Sequence, residues 1–319
     1  MDTVCFEDVR SWAAAFPNTK LVVLGGSPPS QIAKGKGELD MTCVFLRLKT
    51  WLTNIFHWCP VKILVESPTC ITKADRSRLS KTIGFLPYEP DSCGISPCHR
   101  PRYWWFNWEV TAQEGVEIYP PSDPQSKNWG KIILTCDFRS KDFLQPGCAL
   151  AGGTEHRVPT FTAAQPQTQP GFKQTGLDNC SQRDLHYWKE DRCRFPPYVY
   201  QFKRGVMHKT RGWRMLQVEE KEAMMFLPVG YTYHCCTKTI RKQNPLEWDG
   251  WRMTLVGSSW HVGVVSFLLQ ELLATLGLLP QKTLVETLAR LRPGSAESLG
   301  ALLFRPAFAT RKPFFPKWS

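Results

Sequence analysis

The sequence lacks the usual features of a secreted or metal-stabilised protein. Its 12 cysteines are scattered over 319 residues without a CxxC pair, and no secretory signal is present in the first residues, MDTVCFEDVRSW. These absences favour a reduced intracellular compartment over a disulfide scaffold. Cys93, Cys98 and His99 are candidate metal ligands, but no second ligand pair at zinc spacing follows them. We therefore interpret them as ordinary loop residues and expect no bound metal.

Long apolar stretches free of polar residues are also missing. The most apolar segment, residues 262–279, approaches the length of a membrane span but carries Gln270 and Glu271 at its centre. We predict a buried amphipathic helix there and no membrane partner. We find no internal repeats.

Acidic residues are fewer than basic ones, 28 against 40, which gives a net charge of +12 and a pI of about 9.2. The basic residues are accompanied by 13 tryptophans and 18 phenylalanines. This combination favours a polyanionic partner, and nucleic acid is the first candidate.

The first part of the chain predicts a β-α-β unit. Residues 19–26 and 61–66 are short apolar runs that end in glycine or a polar residue, as buried parallel strands do. Between them, residues 42–58 have apolar side chains at helical spacing. Loops at the carboxyl ends of such strands hold the ligand in open α/β sheets, so the loop after Gly26 and the segment after Glu66 should face one crevice.

Changes in composition along the chain predict four segments. Residues 1–114 and 250–285 are predicted to form an α/β domain. It is interrupted by a loop-rich, partly β region over residues 115–249. Between about residues 115 and 211, Pro, Gly, Gln and Thr are dense and helical periodicity disappears. Residues 286–319 are a basic tail without a clear period, and disorder is one interpretation of it.

Six stretches resemble, in their order and spacing, the motif series of DNA cytosine-5 methyltransferases, most closely the animal de novo type and its relatives. The resemblance covers about residues 7–275. The stretches are EDVR (7–10), GGSPPSQ (25–31), LVESP (64–68), SPCHRPRYWW (96–105), EEKEAMMFLPVGYT (219–232) and VGSSWHVGVV (256–265).

The resemblance implies a Rossmann-like methyltransferase fold with an inserted target-recognition domain, and it implies roles for three residues. Glu66 would hold ring N3 and the exocyclic amine of a flipped cytosine, while Arg102, with Arg100, would hold O2 and the nearby backbone. Taken alone, Glu66 could equally be a solvated or capping carboxylate. The two arginines could equally belong to a basic surface strand.

The cofactor of the family is S-adenosylmethionine, and the resemblance assigns five residues to it. Asp8 would lie near the adenine, Ser258, Ser259 and Trp260 near the methionine half, and Pro28 belongs to the same predicted site. Asp8 before an apolar helix is also an ordinary N-cap, and Trp260 could be part of the core.

Two departures from the family pattern concern catalysis. The family loop reads Gly-Gly-Ser-Pro-Cys, and its cysteine thiolate attacks carbon 6 of the base, but here that position is Pro29, which has no nucleophile. The glycine-rich turn that cradles the donor is not found in the sequence, so we expect a fold incomplete at its N-terminus. Smaller changes are Glu66-Ser67-Pro68 for the family's ENV, Phe226-Leu227-Pro228 for GFP, and Ser258 for Asn or Arg.

The functional expectation is therefore a DNA cytosine-5 methyltransferase that is impaired in this chain. The alternative is a catalytically inactive DNA-binding relative, including a partner subunit of an active homologue, and the expected location is nuclear or otherwise intracellular. DNA should contact Lys203, Arg204 and Arg211 in the run KRGVMHKTRGWR, although a solvated loop is an equally simple interpretation of that run.

Overall fold

The computed structural model describes residues 22–26, 50, 54, 61–121, 129–153, 156–161, 180–193, 195–234 and 245–291. The helix predicted over residues 42–58 falls outside this part of the chain, apart from residues 50 and 54, which are both helical.

The described residues form a mixed α/β structure with two sheets. The strands are β1 (Val22–Gly26), β2 (Lys62–Pro68), β3 (Tyr88–Asp91), β4 (Arg102–Phe106), β5 (Val116–Tyr119), β6 (Gly130–Leu134), β7 (Cys148–Leu150), β8 (Gly205–His208) and β9 (Gly212–Met215). The helices are α1 (Lys73–Ile83), α2 (Gln182–Glu190), α3 (Val218–Met224), α4 (Pro245–Ser258), α5 (Val262–Thr275) and α6 (Leu284–Ala289).

The larger sheet has six strands in the order β1-β2-β4-β3-β6-β5 and contains both parallel and antiparallel pairs. Strands β1 and β2 are parallel neighbours, with Val23 opposite Ile63 and Leu24 opposite Leu64. This confirms the predicted parallel pairing of the two apolar runs. The smaller sheet is an antiparallel meander of β7, β8 and β9.

One face of the larger sheet is an apolar core shared with α1. Alternate residues of β2 and β4 supply it, because successive side chains of a strand point to opposite faces. Two hydrogen bonds hold α1 to this face: Arg76 Nη1 donates to Tyr103 Oη at 2.7 Å, and Trp105 Nε1 donates to Ser80 Oγ at 3.0 Å. The buried members are Val61, Ile63, Val65, Ile71, Ile83, Tyr103 and Trp105.

The chain divides into two compact units. The first comprises Met1–Asp91, Pro101–Ile133 and Glu271–Pro280, and the second comprises Ser92–Arg100, Leu134–Gln270 and Gln281–Ser319. The predicted domain boundaries at residues 114, 249 and 285 stay predictions.

Helix α2 lies within the region of residues 115–211 that is predicted to be loop-rich and partly β, without helical periodicity. The helix begins with a reciprocal capping box, in which Asp184 N–H donates to Ser181 Oγ and Ser181 N–H donates to the Asp184 carboxylate. That Ser-x-x-Asp signature is visible in the sequence, but the helix is short and mostly polar, so its apolar periodicity is weak.

The helix predicted over residues 262–279 is observed as α5, which ends at Thr275. It is buried along most of its length and is not amphipathic: Gln270 and Glu271 are both buried, and the carboxylate of Glu271 accepts hydrogen bonds from Thr111 N at 2.9 Å and Gln113 Nε2 at 3.3 Å. Among the described residues, no helix combines the length and apolar character that a membrane crossing requires.

Candidate functional site

Three motif segments meet at one edge of the larger sheet. Strand β1 ends at Gly26, which lies opposite Glu66 near the end of the parallel strand β2. Strand β4 runs in the opposite direction and begins at this edge, where Arg102 lies opposite Pro68. The pairing register therefore brings Gly26, Glu66 and Arg102 to the same corner of the first unit.

Glu66 and Arg102 form an ion pair at this edge. Arg102 Nε lies 2.8 Å from Glu66 Oε1, and the two side chains are only 13% and 9% exposed. Glu66 lies opposite Trp104, two residues from Arg102, so both charged side chains share the sheet face that is opposite the apolar core. Glu66 and Arg102 thus lie on the same face, and the single crevice that they are predicted to share with the Pro29 loop stays a prediction.

The Glu66–Arg102 pair places a hydrogen-bond acceptor next to a donor at a site with little exposure to solvent. A carboxylate can accept up to four hydrogen bonds and a guanidinium can donate five. Besides its contact with Glu66, Arg102 donates from Nη1 to the carbonyl oxygen of Pro101 at 2.8 Å. Pro29, Pro28 and Asp8 lie outside the described residues, so their place beside this pair stays a prediction.

Arg100 makes different contacts from those expected of a base-binding residue. It is buried, and its Nη2 donates to the carbonyl oxygen of Gly257 at 3.0 Å and also to that of Ser259. Ser259 Oγ donates in turn to Val256 O at 2.9 Å. Arg100 therefore fastens the end of α4 to the segment after it, and its role toward a base stays a prediction.

The turn at the end of the motif from Glu219 to Thr232 is held by the buried carboxylate of Glu222. Glu222 is fully buried and accepts hydrogen bonds from Gly230 N at 2.6 Å, Thr232 N at 2.8 Å and Thr232 Oγ at 2.5 Å. Arg252 Nη2 adds two longer contacts of 3.3 Å to its oxygens, and Arg252 Nη1 bonds Glu219 at 2.5 Å. Glu222 therefore holds the turn after α3 in place.

A second buried carboxylate of the same motif fixes part of the basic run. Arg214 donates to both oxygens of Glu220 at 2.8 Å, and this partner raises the pKa of Arg214. Arg214 ends the run that was expected to contact DNA, and its charge is already paired inside the protein.

One further cation of the run, Lys203, belongs to a wider basic cluster. Lys203 is exposed, and its charge, together with those of Arg157 and His99, acts on His156, whose pKa is lowered first by burial and further by these neighbours. We call Lys203, Arg157 and His99 the basic cluster. Of the three, only Lys203 could be identified from the sequence, because the other two are distant along the chain and no spacing pattern connects them.

Arg211 lies on the turn between β8 and β9. His208 Nδ1 accepts hydrogen bonds from the backbone N–H groups of Thr210 and Arg211 at 3.2 and 3.3 Å, and these bonds stabilise the turn. Arg211 is exposed. Arg204 is half-buried, with its guanidinium 5.8 Å from the ring centre of Tyr198. The hairpin therefore presents Arg211 to solvent, as a phosphate contact would require.

A buried histidine stabilises the segment that follows the closing motif. His261 Nε2 lies 3.0 Å from Met224 O and 3.2 Å from Ser96 Oγ. Burial, reinforced by the charge of Arg100, lowers the pKa of His261 to about 3. His261 is therefore neutral at physiological pH and has a structural role.

This lowered pKa predicts an acid-sensitive stability. Because the folded-state pKa lies below the ordinary value of about 6.5, the contribution of His261 is complete above pH 6.5 and is lost as the pH falls toward 3. We expect a loss of about 2–3 kcal/mol between pH 6.5 and pH 4.5 from this residue. Urea unfolding at both pH values, compared with His261→Gln, measures it, and equal pH dependence in the two proteins would contradict the assignment.

The chain was also compared with known proteins. No family model matches it, and the search of curated proteins found no match either.

Proposed function

We propose that this chain is a DNA-binding protein of the cytosine-5 methyltransferase type that accommodates an unpaired cytosine but does not methylate it. The observation that carries the proposal is the sheet edge where Gly26, Glu66 and Arg102 meet, with Arg102 Nε 2.8 Å from Glu66 Oε1. Three separate motifs that the resemblance assigns to one flipped base thus converge within one unit.

The chemistry of this edge suits a cytosine. The exocyclic amine of cytosine is a donor that the Glu66 carboxylate can accept, and O2 is an acceptor that the Arg102 guanidinium can bind. Because the two side chains are already paired and largely buried, they are positioned before a base arrives. The DNA must extrude the base to reach them.

The turn after α3 supports the relationship to the methyltransferase motifs. Phe226 occupies the position of the glycine in the family's GFP sequence, and its φ of 58° lies in the left-handed region that favours glycine. The ring is buried against Phe138, Phe143 and His261, which offsets the strain of this conformation. Phe226 thus adopts the backbone conformation that favours glycine, at the position where the family sequence has one, and this supports the proposed correspondence. We infer that the α/β sheet is the corresponding Rossmann-like domain.

The two serines that the resemblance assigns to S-adenosylmethionine give little support for a tightly held cofactor. Ser258 is exposed, while the hydroxyl and carbonyl groups of Ser259 are engaged by Val256 and Arg100. These two serines therefore offer the donor no enclosed set of polar groups. We propose that the chain binds the cofactor weakly and derive no chemical step from it.

DNA binding should depend strongly on salt. Lys203, Arg204 and Arg211 each release counterions if they contact a phosphate, so their combined replacement by Ala should reduce the slope of log K against log salt concentration by about 2–3. Affinity should fall for all sequences alike. Fluorescence anisotropy with a labelled duplex at several salt concentrations measures both effects.

The matched control removes the same charge from the first unit. Lys73, Lys81 and Lys131 are exposed there, and their replacement by Ala should change the slope much less. An equal decrease in both triple variants would mean that only net charge matters, and the assignment of the surface would be wrong.

A further inference from the structure

The second unit contains a cavity of about 590 Å³ that the proposed function does not use. This volume lies within the range of small-molecule sites. Its wall includes Tyr187 and Glu190 from α2, Trp213 from β9, Glu219 from α3 and Asp249 from α4.

The wall of this cavity is acidic. Four carboxylates line it, those of Glu190, Asp191, Glu219 and Asp249. Asp191 is oriented by Tyr200, whose hydroxyl donates to Oδ2 at 2.5 Å. Carboxylates that surround one space attract a cation and repel phosphate, so the cavity is unsuited to a nucleic-acid backbone.

The two arginines of the wall do not cancel this charge. Arg214 is paired with the buried Glu220, and Arg252 is paired both with the buried Glu222 and with Glu219 of the wall. With Glu220 and Glu222 included, six carboxylates face two guanidinium groups, so the net charge of the site is negative even though Glu219 shares Arg252. In a chain of net charge +12, this is a local reversal of sign.

Aromatic rings form the other part of the wall. The rings of Tyr187 and Trp213 are stacked, with centroids 4.2 Å apart and planes at 11°. Trp248 also lines the cavity, and the guanidinium of Arg252 lies 5.1 Å from its ring centre. A cation is therefore already held against one aromatic ring of this wall, a contact that the quadrupole of the ring favours.

We propose that this acidic aromatic cavity binds an organic ammonium cation, carried either by a free polyamine or by a lysine side chain of a peptide. The ammonium group would be attracted by the carboxylates, and its alkyl chain would lie against the aromatic rings. The proposal uses neither the Glu66–Arg102 pair nor the side chains of Lys203, Arg204 and Arg211, none of which lines the cavity.

Isothermal titration calorimetry with the intact chain tests the proposal. The probes are spermidine and the blocked peptide GKGKGKG, with GQGQGQG as the neutral comparison. Replacing Glu190 by Gln and Asp249 by Asn together should weaken binding about tenfold, because two of the attracting charges are lost. The control replaces two exposed carboxylates outside the wall, Glu114→Gln with Asp137→Asn, and should leave the affinity unchanged.

The two probes distinguish the sources of the cation. Saturable binding of spermidine alone indicates a free polyamine, and binding of the lysine peptide indicates a peptide partner. Tyr187→Leu gives a second variant that keeps all charges, and it should also weaken binding. Absence of saturable binding to both probes, or equal weakening in the acidic double variant and its control, would overturn the proposal.

Discussion

The purified 319-residue chain is expected to transfer no detectable methyl group from S-adenosylmethionine to cytosine in DNA. The family reaction needs a thiolate that adds to carbon 6, and residue 29, where the family has that cysteine, is proline in this chain. Loss of a covalent nucleophile costs a factor on the order of 10⁴ to 10⁶ in rate, because the remaining groups only position and polarise the base. Radiolabelled methyl transfer to duplex DNA is the measurement.

Pro29→Cys alone should not restore activity, because the sequence also lacks the family's glycine-rich cofactor turn. A Glu66→Ala variant controls for a contaminating enzyme. If the unmodified chain methylates carbon 5 and this control does not, another thiol has replaced the family cysteine. Cys70 is free and exposed and is one candidate, and Cys43, which lies outside the described residues, is the other. In that case our interpretation of Pro29 would be wrong.

Replacement of Glu222 by Ala should destabilise the second unit by about 3–5 kcal/mol. The variant removes a fully buried carboxylate and leaves the N–H groups of Gly230 and Thr232 without their acceptor. It also removes one of the two carboxylates that pair with Arg252, whose side chain is only 3% exposed. A loss of this size is a large part of the stability of a typical domain.

Glu219→Ala is the matched control for this prediction. Glu219 pairs with the same guanidinium at 2.5 Å, but its side chain is 39% exposed and can be replaced by water. We expect a loss of about 1 kcal/mol or less. Urea unfolding followed by tryptophan fluorescence compares the variants, and similar losses in both would show that Glu222 does not organise the motif.

The parts of the fold that could be predicted from sequence are those controlled by local pattern. The apolar runs before Gly26 and Glu66 predicted two parallel strands, because such runs are buried on both faces of a sheet. The apolar residues of α5 have a helical period, so this helix was predicted as well. Glu66 and Arg102 then come together because β4 pairs antiparallel with β2, which places the start of β4 beside the end of β2.

The remaining features depend on contacts between distant residues. Arg214 is paired with Glu220, so its charge is not available for a DNA contact. Arg100 donates hydrogen bonds to the backbone carbonyl groups of Gly257 and Ser259, which lie 157 and 159 residues away in the sequence. In the sequence these arginines look the same as exposed ones, since a charged residue gives no sign of its partner. The basic cluster and the acidic aromatic cavity were missed for the same reason.

The central claim is that the edge formed by Glu66 and Arg102 receives an unpaired cytosine. Two duplexes test it, one with cytosine and one with thymine opposite an abasic site, because the missing partner removes the cost of breaking a base pair in both. Thymine presents a carbonyl oxygen where cytosine presents its amine, so the Glu66 carboxylate should reject it.

Dissociation constants for the two duplexes, measured by anisotropy at one salt concentration, are the most direct measurement. We predict that the chain binds the cytosine duplex about tenfold more tightly than the thymine duplex, since one well-placed contact to a base edge discriminates by about 1–3 kcal/mol. The Glu66→Gln variant should lose this preference and retain its salt dependence, because an amide can both donate and accept. Equal dissociation constants for cytosine and thymine in the unmodified chain would contradict the proposed function.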